Sequence, residues 1–95
     1  MAYPEFVETK DVNFLEFREI SRGGATFIYI RGLVFHSSLA VKNLEIKFDN
    51  GLPWIVVSLT PATENLSGRF EVEVPVQDIS AKILFGPKKD VIWPK

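Results

Sequence analysis

Apolar and polar residues alternate most regularly between Arg69 and Val76. Phe70, Val72, Val74 and Val76 fall on one parity, and Arg69, Glu71, Glu73 and Pro75 on the other. A period of two marks a strand with one dry and one wet side. Proline cannot donate to a ladder, so Pro75 places the end of this strand at a sheet edge or a bulge. Two other runs are apolar on both parities. From Thr26 to Phe35, one side carries Thr26, Ile28, Ile30, Gly32 and Val34, and the other Phe27, Tyr29, Arg31, Leu33 and Phe35. From Trp54 to Thr60, Trp54 and Val56 oppose Ile55, Val57 and Leu59. The first is expected at the centre of its sheet, because an edge strand shows polar groups on at least one side, and the second is expected as the neighbour of that buried centre.

The remaining segments are less regular. Between Val12 and Ile20 the apolar positions Val12, Phe14, Leu15, Phe17 and Ile20 fit neither alternation nor one helical face, and a strand is the preferred assignment. Leu39 to Phe48 reads as a strand with Leu44, Ile46 and Phe48 inward and Glu45 and Lys47 outward. It also reads as a helix capped by Ser38, with Val41, Leu44 and Phe48 on one face and Gly51 as its stop. Asp49-Asn50-Gly51 decides for the strand, since Asn-Gly between apolar runs is a strong hairpin signal. Ser21-Arg22-Gly23-Gly24 is a turn of the same kind, and Gln77-Asp78 and Gly86-Pro87-Lys88-Lys89 are two more. Short strands follow at Lys82 to Phe85 and Val91 to Trp93, the last stopped by Pro94. About seven strands with no firm helix predict an all-β, single-domain, immunoglobulin-like antiparallel β-sandwich over residues 1–95, without the Cys and Trp spacing of antibody domains.

Size and composition agree with this. A chain of 95 residues supports one core, and a domain of this size buries roughly 60 to 65% of its unfolded surface. The 46% hydrophobic and 24% charged content is that of a folded globular protein rather than a disordered one. No apolar run approaches the ~20 residues of a membrane-spanning helix, and the first residues lack the basic start and apolar stretch of a secretion signal. A leader replaced by Met1 would fit the exported, periplasmic or extracellular setting that the fold type suggests by association. With no cysteine, disulfides and thiolate metal sites are excluded. The net charge of −1 removes the usual electrostatic basis for nucleic-acid binding. Acids cluster in residues 1–20 and lysines in residues 81–95, which predicts that the two ends lie side by side in one sheet, with head-to-tail association of copies as the alternative.

Gly68-Arg69-Phe70-Glu71-Val72-Glu73-Val74-Pro75, then Ile83-Leu84-Phe85-Gly86 and Val91, resembles the C-terminal half of transthyretin-like and carboxypeptidase-regulatory-like sandwich domains. Ile30-Arg31-Gly32-Leu33-Val34 is similar to their opening strand. Glu64-Asn65-Leu66-Ser67 stands where those families carry an Asp-rich turn, and the Asn-Gly hairpin adds length. The resemblance implies a noncatalytic accessory or binding module and assigns no site residues.

Chemistry is sparse. The single histidine, His36, precedes Ser37 and Ser38, but adjacency in sequence supplies neither an oriented base nor an oxyanion hole, so no catalytic residue is assigned. A calcium site from Asp49, Glu64 and Asp78 competes with the simpler account of solvated turn acids, and no metal or cofactor is expected. Arg22 to Tyr29 partly matches an RNA-recognition signature, with Tyr29, Arg31 and Phe35 as the stacking platform it would need, but a sheet core explains these aromatics better. Asn65-Leu66-Ser67 matches the glycosylation acceptor pattern. The favoured expectation is a noncatalytic module that binds a protein partner or a second copy of itself, with Tyr29, Arg31, Phe35 and Trp54 as the candidate surface. The alternative is a small-ligand or carbohydrate-binding domain in which Trp54, Trp93 or Tyr29 lines a pocket.

Overall fold

The computed structural model describes residues 5–35, 38–63 and 66–94. Among these residues seven strands form two packed sheets. They are β1 (Val12–Arg22), β2 (Ala25–Val34), β3 (Leu39–Asp49), β4 (Leu52–Pro61), β5 (Arg69–Val76), β6 (Ile83–Phe85) and β7 (Asp90–Trp93). The first sheet has the order β1-β2-β5 and the second β3-β4-β6-β7. A 3-10 turn, Thr9–Asp11, leads into β1, and among the described residues there is no α-helix. The all-β sandwich expected from the sequence is therefore found, and both uncertain segments are strands.

Hairpins build the two ends of this layout. β1 turns into β2 through Gly23 and Gly24, both with positive φ (59° and 81°), and Arg22 pairs directly with Ala25. Asn50 and Gly51, at φ 51° and 81°, join β3 to β4 in the same way. Positive φ at both central residues is what a two-residue hairpin needs to match the strands' twist.

Pairing is antiparallel except between β4 and β6, where Trp54 and Ile55 lie parallel to Leu84 and Phe85. Parallel neighbours need a long crossover. Here the chain supplies it by crossing to the other sheet as β5 before it returns as β6. In the immunoglobulin arrangement the third strand lies beside the sixth; here the fourth takes that place and β3 stands at the edge.

The core lies between the sheets. Ile28, Ile30 and Val34 from β2, Ile55, Val57 and Leu59 from β4, Phe70 and Val74 from β5, and Ile83 and Phe85 from β6 are buried there, while Leu84 is buried outside this cluster. Rings tie the layers together: Phe85 of β6 meets Phe14 of β1 edge-on at 5.4 Å and stacks on Phe70 of β5 at 6.1 Å. Phe17 of β1 stacks on Trp93 of β7 at 5.6 Å.

β2 is central in its sheet and β5 is an edge strand, one of the two places Pro75 allows, whereas β4, expected beside β2, lies inside the other sheet and faces it across the core. Both even-numbered rows behave as expected. The odd-numbered side of β2 is different: Phe27, Tyr29 and Leu33 are half-buried and Arg31 is exposed. Among the described residues no third layer covers that side, so it is an outer face. Phe48, expected inward, is 62% exposed, because its row on β3 runs out past the core cluster.

The N-terminal segment supplies a short extra pairing. Val7 N–H donates to Val57 O and Leu59 N–H to Glu5 O, each at 2.9 Å, so residues 5–7 run beside the second half of β4. Val7 is fully buried. Beyond it, Glu8 pairs with Lys88 at 3.1 Å and the Thr9 hydroxyl donates to Asp90 at 2.7 Å. The two ends thus meet through Glu8 and Lys88, but β1 and β7 lie in different sheets, so they do not pair side by side in one sheet as expected.

Candidate functional site

The outer face of β1-β2-β5 is organised by register. Ile20, Phe27 and Pro75 form one row across the three strands, and Arg18, Tyr29 and Glu73 the next. Glu16, Arg31 and Glu71 form the third row, and Asn13, Leu33 and Arg69 the last. Cross-strand rows of this kind bring side chains within contact distance. The Arg18 guanidinium lies 4.8 Å from the centre of the Tyr29 ring, and that of Arg22 lies 5.6 Å from the Phe27 ring. Arg22 also holds Glu73 in a two-bond fork at 3.0 and 3.2 Å. The carboxylate beside it raises the affinity of Arg22 for its proton.

The Tyr29 hydroxyl donates to Glu71 Oε2 at 2.6 Å. That hydrogen bond, with some desolvation, pushes the phenol above its ordinary pKa, because ionising it would set two anions side by side. Glu16 lies between Arg18, at 3.4 Å, and Arg31, at 3.5 Å. Below this row the face opens into a hollow of about 430 Å³ lined by Leu15, Arg31, Gly32, Arg69, Phe70 and Glu71.

Of the four residues singled out from the sequence, Tyr29 and Arg31 share this face. Phe35 lies just beyond the end of β2, 61% exposed. Trp54 is on the outer side of the other sheet, so the four do not form one surface. Trp54 donates its indole N–H to Gly86 O at 2.7 Å, and the ammonium groups of Lys89 and Lys47 lie 4.7 and 5.6 Å from its ring centre. With Phe6, Lys47, Val56 and Pro87 it lines an open hollow of about 270 Å³. Trp93 is packed on Phe17 and donates to Ile79 O at 2.8 Å.

Leu15, Arg18 and Arg69 were not singled out from the sequence. Arg69 was legible as the first wet position of the β5 alternation. Leu15 was not, because its orientation depends on a bulge between Phe14 and Glu16.

The remaining candidates do not come together. Asp49 pairs with Lys89 at 3.3 Å, while Asp78 accepts the N–H of Ser80 at 2.8 Å and its hydroxyl, bonds that lower its pKa. Glu64 lies outside the described residues, and among those described no three acids or histidines gather as metal ligands. His36 and Ser37, and the Asn65 of the glycosylation pattern, also lie outside them. A base-stacking platform from Tyr29, Arg31 and Phe35 does not fit this geometry, since Arg18 already covers the Tyr29 ring and Phe35 stands apart. Among the described residues no helix is long and apolar enough to cross a membrane. No family model, curated protein or solved structure matches the chain.

Proposed function

We propose that the chain is a noncatalytic binding module that meets a protein partner through the outer face of β1-β2-β5. One observation carries this reading. Phe27, Tyr29 and Leu33 are half-buried with no layer above them among the described residues, and Arg18, Arg22, Arg31 and Arg69 stand on the same face. Tyrosine and arginine are the side chains most often responsible for binding energy in protein interfaces. Their mutual stacking holds several of them in fixed positions, which lowers the entropy cost of contact. The resemblance to transthyretin-like and carboxypeptidase-regulatory-like domains points to the same class of role.

Selection from a random-sequence displayed peptide library tests the proposal without a known partner. Selected peptides should lose at least tenfold in affinity for Tyr29→Ala and for Arg31→Ala. They should be unaffected by Lys42→Ala on the other sheet. Peptides indifferent to Tyr29 and Arg31 would overturn it.

The Trp54 hollow supports a second reading, a small-ligand or carbohydrate site on the opposite sheet. A panel of mono- and disaccharides should then shift the tryptophan emission of the native chain and leave that of Trp54→Phe unchanged. No shift with the native chain would remove this reading.

A further inference from the structure

In the hollow beside Arg31 on the outer face, the charges are unevenly satisfied. Arg31 opposes Glu71 and Leu33 opposes Arg69, so Arg31 and Arg69 are diagonal neighbours on adjacent strands. Diagonal positions lie about 7 to 8 Å apart, within reach of two long side chains. The bulge between Phe14 and Glu16 adds Leu15 to the rim, 45% exposed.

Glu71 is already engaged by the Tyr29 hydroxyl. Glu16, the nearest carboxylate to Arg31, is shared with Arg18 and stands 3.5 Å from Arg31 Nε, long for a hydrogen bond. Arg69 has no ion pair among the described residues. The hollow of about 430 Å³ therefore presents two guanidinium groups whose donors are largely unspent, one occupied carboxylate and an aliphatic wall.

We propose that this hollow takes a carboxylate on an aliphatic stem, an acidic side chain flanked by aliphatic residues in the bound segment of a partner protein. The inference rests on the reading of this face as the protein contact. Guanidinium groups match carboxylate geometry with paired N–H donors, and two of them on one side form a clamp. Leu15 receives the stem and the neighbouring aliphatic group. Glu71 and Glu16 on the rim repel further negative charge. A single carboxylate thus fits better than a phosphate backbone, in keeping with the chain's net charge of −1.

The test uses two peptides, acetyl-Leu-Glu-Leu-Glu-Leu-amide and the same peptide with glutamine for glutamate, titrated into the full chain and followed by NMR. The glutamate peptide should shift the Nε–H signals of Arg31 and Arg69 and bind at least tenfold more tightly than the glutamine peptide. Arg69→Ala should weaken the glutamate peptide at least fivefold and leave the glutamine peptide nearly unchanged. Arg69→Lys should restore only part of the loss.

Equal affinity for the two peptides, with shifts on the outer face, overturns the carboxylate proposal and leaves the protein-contact reading standing. No shift on that face from either peptide at millimolar concentration also overturns the carboxylate proposal; the library selection then decides the wider reading separately. Arg69-dependent binding of a single-stranded thymidine oligonucleotide in place of the peptide overturns it in favour of phosphate.

Discussion

A methyl group added at Gly32 would lie 2.6 Å from Phe70 Cζ, 2.8 Å from Phe70 Cε2 and 3.1 Å from Val12 Cγ1. The Phe70 ring cannot swing away freely, because it stacks on Phe85 in the core. Gly32→Ala is therefore expected to destabilise the fold by about 1 to 3 kcal/mol, the usual cost of overpacking. Urea unfolding would show it as a lower midpoint with an unchanged slope, and an unchanged midpoint would contradict this packing. Tyr29 carries a different residue-level signature. Its folded-state pKa lies above the unfolded one, chiefly through the hydrogen bond to Glu71. The sign follows: the stabilisation is complete below the ordinary tyrosine value and is lost as pH rises through the folded value. Ring-carbon NMR shifts should show Tyr29 titrating above the ordinary value, and Glu71→Gln should bring it back towards that value. The same midpoint in both proteins would refute the coupling.

At the scale of elements, the two segments that resisted assignment from sequence share a cause. In β1 the inward residues are Val12 and Phe14 before the bulge and Phe17 after it, so the parity changes where Leu15 is inserted. In β3, Leu39 and Val41 share a row up to a bulge between Val41 and Asn43, and Leu44 and Ile46 take over after it. An extra residue shifts every later side chain by one position, which destroys period two and creates spacings that imitate a helix. Without bulges, β2, β4 and β5 were legible from their alternation, as were both tight hairpins from Gly23-Gly24 and Asn50-Gly51. Bulges at β1 and β3 also serve a purpose, since both are edge strands and a kinked edge is a poor template for unwanted pairing.

The segment beside β4 has its own testable energetics. Val7 is fully buried, and Val7→Ala should cost about 1 to 3 kcal/mol by denaturant unfolding. Glu8 next to it has its pKa lowered, first by the hydrogen bond from Lys88 and then by that residue's charge. A lowered folded-state value means a contribution that is present at neutral pH and lost as pH falls through it, below the ordinary glutamate range. Stability curves of the native chain and of Lys88→Met should therefore separate near neutrality and converge in acid. The separation will be modest, because the pair is exposed to solvent. Curves that stay parallel down to the acid limit would show that Glu8 and Lys88 do not act together.

For the molecule as a whole, the order of strands was the part that local pattern could not reveal. β6 has only three residues, and its pairing with β4 joins segments separated by an excursion through the other sheet. Hydrophobicity identified Ile83, Leu84 and Phe85 as apolar, but nothing in a three-residue run says which neighbour it chooses. The candidate face was half legible for a similar reason: Tyr29 and Arg31 stand out within β2, whereas Arg69 joins them only through the β2–β5 register. What fixes the assembly is shape at its centre. Phe85 is fully buried, meets Phe14 and Phe70 from both edge strands of the opposite sheet, and follows Leu84 in a strand held on both sides. Phe85→Ala should cost about 3 to 5 kcal/mol, the range for deleting a buried aromatic ring. A domain of this size has total stability of only about 5 to 15 kcal/mol, so this variant should sit close to global unfolding. Phe85→Leu keeps much of the volume and should lose distinctly less. If the two substitutions proved equally mild in thermal and denaturant unfolding, the sheets would have to be joined by something other than this ring cluster, and the placement of β6 between β4 and β7 would be wrong.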